Sequence, residues 1–285
     1  MGHSMNRKKC KKFIKLSVLN IFFIVICMLG MIPIFYALYL SLSGSGGALS
    51  AGFRLIPKDI TLENYRKILE ESSFLSWFSN SVILSVSTVI VALGLSISSA
   101  YAFSRYRFKG RNGVLKMLIM LNAFPQILSM FAIFRLFKEM NLLDKKLGLV
   151  IIYAGTMCIF SIWNLKGYFD TIPLEIEEAS KIDGANDFQM LAKIIFPLAM
   201  PAIIVTSVMI LIFVWNEYIF STTFMLNESN YTLAGGLYQL QSNDYSRSWP
   251  LFSAAAMITS LPILIIFFCI QKYMVSGLTA GGVKG

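Results

Sequence analysis

Long apolar runs alternate with short charged segments along the chain. A membrane-spanning helix needs about 20 consecutive, mostly apolar residues, and six segments of this sequence meet that requirement. They lie at about residues 16–42, 80–104, 115–137, 147–166, 201–224 and 251–274. The pattern therefore predicts an all-α membrane protein with six transmembrane helices.

The predicted domain organisation follows from these spans. Residues 1–15 form a basic N-terminal segment, in which residues 1–4 are interpreted as a remnant of cloning. Residues 16–275 form one transmembrane domain, which includes a polar connection at 167–200 between the fourth and fifth spans. Residues 276–285 form a C-terminal tail.

Composition and charge agree with a membrane protein. Of the 285 residues, 56% are hydrophobic and only 14% are charged, against roughly 25% charged residues in an average soluble domain. The net charge is +10, but the cations flank the apolar runs and form no interleaved basic face, so no nucleic-acid partner is predicted. Lysine and arginine concentrate before the first span and between the second and third spans. The positive-inside rule then predicts that both termini and the 167–200 connection are cytoplasmic.

The sequence offers little catalytic chemistry. Its single histidine, His3, lies in the N-terminal remnant, and its four cysteines are scattered singly. Neither histidine catalysis nor a metal site is therefore predicted. The phosphate-binding loop GxxxxGK(S/T) is absent from the sequence. We therefore expect that this chain has no catalytic residue and binds no metal or cofactor itself.

The polar connection at 167–200 predicts two short helices. Pro173 suits the first turn of a helix, and the glutamates that follow it favour the positive end of the helix dipole. Gly184 is a predicted stop. A second helix is predicted to begin at Asn186, with Gln189 completing a capping box. Its predicted apolar face comprises Phe188, Leu191, Ala192 and Ile195.

This connection is predicted to bind another protein. Pro197 and Pro201 are expected to end the second helix before the fifth span, which leaves a rigid elbow outside the bilayer. The alternative is an amphipathic connector lying on lipid headgroups. Acidic residues outnumber basic ones between residues 177 and 197, whereas anionic lipid favours cationic faces. A protein partner therefore fits better.

The spacing of residues within the connection resembles a family motif. The EAA loop of ABC importer membrane subunits has the form EAA, three residues, G, nine residues, I, one residue, LP. The matching positions are Glu178, Ala179, Ser180, Gly184, Ile194, Phe196 and Pro197. Ser180 and Phe196 depart mildly from the usual alanine and leucine.

The resemblance implies a function for the elbow. In this family the loop forms a coupling helix that is seated in a groove of a cytoplasmic ATPase subunit. By resemblance, Glu178 would contact the ATPase, and Gly184 and Ala185 would form the bend. The full set of implied coupling residues is Glu178, Ala179, Ser180, Asp183, Gly184, Ala185, Ile194, Phe196 and Pro197.

Further segments resemble the carbohydrate branch of the family. The segments AYAFSRYRFKGR, WNEYIF and GLTAGGVKG are similar to the shorter permease subunit of the maltose transporter. The resemblance implies a bacterial cytoplasmic membrane location, a longer homologous permease as partner, two copies of an ATPase that hold ATP and Mg²⁺, and an extracytoplasmic sugar-binding protein. A homodimer of this chain is the alternative to pairing with a longer permease. The implied tail contacts are Thr279, Gly281, Gly282 and Lys284.

Two other groups of residues are candidates for contacts on or near the transport path. By resemblance, the connection between the fifth and sixth spans would meet the binding protein through Asn230, Tyr231, Gly235 and Gly236. Glu217 is the one acidic residue well within a predicted span. With Trp215, Asn216 and Tyr218 it either lines a sugar path or makes structural hydrogen bonds to a neighbouring helix or subunit.

The predicted function is ATP-driven import of an oligosaccharide by alternating access. Malto-oligosaccharides are the default substrate, and other saccharides, including acidic ones, are the first alternative. An ion-coupled carrier is the alternative from another class, but Glu217 alone offers the ionisable intramembrane site that such carriers need. A membrane-embedded enzyme fits less well because no span carries paired carboxylates.

Overall fold

The described part of the protein is helical. The computed structural model describes residues 2–44, 59–70, 72–242 and 248–282, and within them the isolated bridge between Ser43 and Ile60 is the sole β-type pairing. The α helices are α1 (Gly2–Ser41), α2 (Glu63–Glu70), α3 (Phe74–Arg105), α4 (Arg111–Ala123), α5 (Gln126–Glu139), α6 (Lys146–Phe169), α7 (Leu174–Ile182), α8 (Asp187–Met190), α9 (Phe196–Asn216), α10 (Ile219–Phe224), α11 (Leu233–Ser242) and α12 (Trp249–Gly282).

The prediction of an all-α chain with membrane helices is confirmed. Five helical segments are long and apolar enough to cross a bilayer, and a bent pair, α4 with α5, makes a sixth if it is one broken span. The five are Phe13–Ser41, Phe74–Arg105, Lys146–Phe169, Asp187–Asn216 and Trp249–Lys272. Large apolar side chains along the first of them, such as Phe22 and Phe35, are exposed, as expected of a surface that meets lipid or another subunit.

The third predicted span is broken, where a single helix was expected. Helices α4 and α5 meet at Phe124 and Pro125 with a bend of 92°. Proline has no N–H to donate, and its ring disfavours the helical conformation of the preceding residue. Phe124 is accordingly extended, with φ −71° and ψ 132°. A span drawn straight through residues 115–137 was therefore wrong.

The fifth predicted span was also placed incorrectly. Helix α8, a π turn at Leu191–Ile195 and α9 form one continuous segment from Asp187 to Asn216. Pro197 and Pro201 therefore do not end the second short helix, as had been expected. The π turn at Leu191–Ile195 comes directly before Pro197, so the helical hydrogen-bond pattern changes next to the residue that has no N–H to donate. The span ends at Asn216 rather than continuing to residue 224.

The chain divides into two compact units. One comprises the described residues of Met1–Glu71 and Asp244–Met257. In this unit α2 is bound to the end of α1, because the Asn64 amide donates to the carbonyl oxygens of Ser41 and Ser43 at 3.0 and 2.9 Å. The Ser41 and Tyr65 hydroxyls are also hydrogen-bonded, at 2.7 Å.

The second unit comprises the described residues of Ser72–Asn243 and Ile258–Gly285. Helix α3 packs along α6 and α9, and α6 also packs against α9. Helices α3 and α6 both begin near residues 224–233, which we call the loop end, and both end near residues 172–177, which we call the elbow end. Each end has its own apolar core, centred on Tyr153 and Phe224 at the loop end and on Phe169 and Ile195 at the elbow end.

Candidate functional site

The polar connection folds into an elbow, which we define as residues 173–190. Helix α7 ends in a turn at Gly184, whose φ of +82° lies in the left-handed region that glycine adopts without strain. The N–H of Ala185 donates to the Ser180 carbonyl at 3.0 Å, and that of Gly184 donates to the Lys181 carbonyl at 3.1 Å. These two bonds form a Schellman motif. The predicted glycine stop is therefore present.

The second half of the elbow begins with the predicted capping box. The Asn186 side chain accepts from the Gln189 N–H at 2.8 Å, and the Gln189 side chain accepts from the Asn186 N–H at 3.1 Å. The apolar face expected on this helix is only partly correct. Ile195 is fully buried, but Phe188 is 78% exposed and Ala192 is also exposed. The π turn adds a residue to the helical repeat and so changes which side chains face the core.

A buried ion pair attaches the elbow to α3. The Arg105 guanidinium, in the last residue of α3, donates through Nε to Glu177 Oε1 at 2.5 Å and through Nη2 to the Ile172 carbonyl at 2.9 Å. The Tyr101 hydroxyl donates to Glu177 Oε2 at 3.1 Å. The Arg105 and Glu177 side chains are only 9% and 8% exposed. Both carboxylate oxygens of Glu177 are therefore bound by α3.

A second link joins the ends of α3 and α6. Asp170, just past α6, accepts from the Ser104 hydroxyl and from Lys166 Nζ, both at 2.6 Å. Burial alone would raise the pKa of this carboxyl, but the bonds from Lys166 and Ser104 outweigh burial and hold the pKa below its usual range. The elbow end of the unit thus has two carboxylates fixed by cations from α3 and α6.

Most of the predicted coupling residues face outward. Glu178 is exposed, beside an exposed Ile182. Ser180 instead faces the protein, where its hydroxyl donates to the Glu177 carbonyl at 2.8 Å. Ala185 and Ile194 are half-buried. The remaining exposed members of the predicted set are Ala179, Asp183, Gly184, Phe196 and Pro197.

At the loop end, Asp144 holds the connection that follows α10. Its carboxylate accepts from the backbone N–H groups of Leu226 and Asn227 at 2.9 and 3.1 Å, and also from the Asn227 side-chain amide. Asn230 donates to the Asp144 carbonyl at 3.2 Å. Burial raises the pKa of Asp144, but these bonds outweigh it and leave the pKa below its usual range. Asp144 was not predicted to be important, because its partners lie more than 80 positions away in the chain.

The start of α3 holds the same connection from the other side. Trp77 Nε1 donates to the Glu228 carbonyl at 2.9 Å, and the Asn80 amide donates to the Ser229 and Tyr231 carbonyls at 2.7 and 2.9 Å. The side chains between these anchors, at residues 226–229, are exposed. The backbone of this segment is therefore held in place by hydrogen bonds, and the side chains of residues 226–229 are exposed.

The predicted binding-protein contacts occupy different environments. Asn230 and Tyr231 are half-buried, whereas Gly235 and Gly236 are buried. A Cβ on Gly236 would lie 2.1 Å from the Trp77 ring, and one on Gly235 would lie 2.9 Å from the Ser221 hydroxyl. The two glycines thus allow α11 to pack closely on its neighbours, and their backbone is covered in this conformation.

Glu217 lies at a helix break, not within a span. It follows the last residue of α9, and its carboxylate accepts from the N–H groups of Phe220 and Ser221 at 2.8 and 3.3 Å, in the first turn of α10. The Tyr153 hydroxyl donates to it at 2.5 Å. These bonds match the structural interpretation of Glu217.

The residues around Glu217 do not form one surface. Trp215 is buried and donates to the Thr259 carbonyl at 3.2 Å. Asn216 is exposed and donates to the Ile212 carbonyl. Tyr218 is exposed and stacks on Tyr238 with ring centroids 5.5 Å apart. Among the four predicted path residues, Asn216 and Tyr218 are the exposed ones.

A family model decides the identity of the fold. The model described as "Binding-protein-dependent transport system inner membrane component" matches residues 91–279, which include the elbow, the helix break and the loop end. The chain belongs to this family. It is the membrane permease subunit of an ABC importer that works with a binding protein, and it is of the carbohydrate-uptake type that the further sequence segments resembled.

Named relatives of the permease agree with this assignment. It is 38% identical over 256 residues to the inner membrane ABC transporter permease protein YcjP of Escherichia coli (strain K12), covering 89% of this chain and 91% of that protein. It is 34% identical over 237 residues to the maltodextrin transport system permease protein MdxG of Bacillus subtilis (strain 168), covering 83% and 85%. A crystal structure of a bacterial ABC transporter involved in the import of the acidic polysaccharide alginate contains a chain with a TM-score of 0.77 and 26% identity, covering 94% of this chain and 97% of that one.

The C-terminal residues of the permease are the last of the predicted contacts. Helix α12 continues past the predicted end of the sixth span and includes Thr279, Gly281 and Gly282. Lys284 lies outside the described residues. A contact between this tail and the ATPase subunits stays a prediction.

Proposed function

We propose that this permease imports an oligosaccharide by ATP-driven alternating access, and that the elbow is its coupling element. The observation that carries the proposal is the geometry of the elbow. One face of α7 is bound to α3 through Glu177, while Glu178 and Ile182 are exposed next to it. A helix with one anchored face and one open face can transmit a force that a second protein applies.

The partners and the orientation follow from this proposal. The elbow end is proposed to face the cytoplasm and the loop end the binding protein. The distribution of lysine and arginine supports a cytoplasmic location for both termini. The permease sequence contains no phosphate-binding loop, so ATP and Mg²⁺ are bound by a separate ATPase subunit. Two copies of this subunit are proposed from the family resemblance. A second, longer permease completes the membrane pore. The membrane is the bacterial cytoplasmic membrane.

The substrate is proposed to be an oligosaccharide. The maltodextrin permease relative favours a neutral glucose polymer, and the alginate importer structure favours an acidic one. Both are chains of pyranose rings that carry many hydroxyl groups. Transport measured on a panel of neutral and acidic oligosaccharides separates these two cases.

An ion-coupled carrier is less well supported. Such a carrier needs an ionisable intramembrane group that binds and releases an ion. Three donors, from Tyr153, Phe220 and Ser221, already bind the Glu217 carboxylate. This carboxylate is the group on which the carrier interpretation depends.

The direct test is substitution of Glu178 in the reconstituted transporter. The permease is assembled with its partner permease, ATPase and binding protein, and sugar-stimulated ATP hydrolysis is measured for wild type and Glu178→Ala. Glu175→Ala is the matched control, since Glu175 is an exposed carboxylate on the same helix. We expect Glu178→Ala to lose stimulation and Glu175→Ala to keep it. Full stimulation in Glu178→Ala would contradict the proposed contact.

A further inference from the structure

The Arg105 and Glu177 side chains form a buried ion pair, and the burial of such a pair is not explained by a gain in folding stability. Transferring two charged groups out of water costs several kcal/mol per ion, and a buried pair often does no better than an apolar pair of the same size. Such a pair is nevertheless directional, since each charge is satisfied only when the other is in place. It therefore fixes one arrangement of the two elements that carry it.

The geometry makes Arg105 a bridge between two parts of the elbow region. Its planar guanidinium bonds to the Ile172 carbonyl, where the chain enters the elbow, and to the Glu177 carboxylate on α7. An arginine can hold both points at once because its donors lie in a rigid fork. The Tyr101 hydroxyl, one helical turn earlier on α3, binds the other oxygen of Glu177.

Helix α7 depends on this attachment. Its buried residues are Glu177 and Ser180, and the Ser180 hydroxyl bonds within α7, to the Glu177 carbonyl. The bonds from α7 side chains to α3 are thus made by Glu177. Helix α3 in turn packs along α6 and α9. The ion pair is therefore a direct link from α7 to α3, in addition to the chain connections of α7 to α6 and, through α8, to α9.

We propose that Arg105 and Glu177 are positioning residues that pass the movement of the elbow into α3, with Tyr101 orienting the carboxylate. This inference rests on the proposed coupling role of the elbow. Glu177 and Glu178 are neighbours on one helix with opposite tasks. Glu178 is exposed for docking, and Glu177 is buried for transmission. Their substitution therefore produces different defects.

The test separates docking from transmission. The complete transporter is reconstituted with wild-type permease, Glu177→Gln, Arg105→Lys, Tyr101→Phe, or Glu175→Gln as the exposed control. Three quantities are measured: ATPase copies bound per permease, ATP hydrolysis stimulated by the loaded binding protein, and sugar molecules imported per ATP. Glu177→Gln keeps the shape of the side chain and removes its charge.

We expect Glu177→Gln to bind the ATPase as wild type does and to import fewer sugar molecules per ATP. The decrease should be about 5-fold or more, the lower end of usual coupling between sites. Arg105→Lys should show the same kind of defect, because lysine lacks the planar fork of donors that binds the Glu177 carboxylate and the Ile172 carbonyl at the same time. Glu175→Gln should match wild type. An unchanged import ratio in an assembled Glu177→Gln transporter would overturn the proposal.

Two further variants make the result decisive. If the Glu177→Gln transporter does not assemble, Tyr101→Phe is the variant that tests the proposal, because it removes one hydroxyl and keeps the ring. A lower number of sugar molecules imported per ATP in Tyr101→Phe supports the proposal. An unchanged number overturns it. Glu178→Ala tests the underlying function separately. Normal docking and stimulation in Glu178→Ala would remove the proposed role of the elbow, whereas a Glu177→Gln result that matches wild type removes only the transmission role.

Discussion

At Gly236, the absence of a side chain is what allows α11 to pack. The Trp77 ring occupies the space that a Cβ would need, at 2.1 Å from its ideal position. We expect Gly236→Ala to lower the free energy of unfolding by about 1–3 kcal/mol, as overpacking usually does. Thermal unfolding of the purified permease in detergent measures this effect.

The control for Gly236 is a glycine in open space. Gly155, within α6, has no atom within 4 Å of an added Cβ. Gly155→Ala should be neutral or stabilising, since alanine favours the helix by about 1 kcal/mol over glycine. Equal stability of the two variants would contradict the close packing of α11 on Trp77.

The Asp144 carboxylate makes the loop end sensitive to acid. Its folded-state pKa lies below the usual value of about 3.9 because it accepts hydrogen bonds from Leu226 and Asn227. The stabilisation is therefore present above the unfolded-state pKa and is lost as pH falls through the folded-state pKa. We expect the thermal midpoint of wild type to decrease more steeply below about pH 4 than that of Asp144→Asn. Parallel acid profiles for the two proteins would contradict this account.

Local signals at the residue scale were readable from the sequence, and distant ones were not. Gly184 and the Asn186 and Gln189 pair were predicted because their partners lie within a few positions. Arg105 was recognised only as a topology signal, because its partner Glu177 lies 72 positions away. Asp144 was missed for the same reason. One sequence carries no information that pairs such residues.

At the scale of elements, the break between α9 and α10 depends on Glu217. We expect Glu217→Ala to be destabilising, because it leaves the N–H groups of Phe220 and Ser221 and the Tyr153 hydroxyl without this acceptor, at about 1–3 kcal/mol for each unsatisfied group. Tyr153→Phe, which removes one donor, should be milder. Thermal unfolding ranks the variants.

The same variants decide between the two interpretations of Glu217. If the carboxylate is structural, the range of sugars imported by the surviving transporter stays that of wild type. A Glu217→Ala permease with wild-type stability and a changed sugar range would instead support a sugar path at this residue. The transport panel of neutral and acidic oligosaccharides provides the measurement.

Prolines show why element boundaries were harder to predict than the elements themselves. Pro125 breaks the third span with a bend of 92°, whereas Pro33, Pro201 and Pro262 lie within continuous helices. The residue is the same in each case, and the outcome depends on packing and on local adjustments such as the π turn before Pro197. Hydrophobic run length alone does not distinguish these cases.

At the scale of the whole molecule, the alternation of apolar and charged segments was enough to predict the helical membrane fold. The length that a bilayer requires was enough to locate the membrane helices approximately, but their number is five, or six if α4 and α5 form one broken span. The family motif added the elbow, which no periodicity would have identified as functional. What the sequence left out is how the elbow is attached, since that depends on a buried ion pair formed by tertiary packing.

The most direct measurement of the central claim is a photo-cross-link from the elbow. A photoreactive amino acid replaces Ile182, which is 87% exposed on α7, and the control replaces Leu226, which is 61% exposed at the loop end. The assembled transporter is irradiated in membranes, and the adducts are identified by mass spectrometry. We expect an ATPase adduct from position 182 and none from position 226. An ATPase adduct from position 226, or none from position 182 in an assembled transporter, would contradict the elbow as the coupling element.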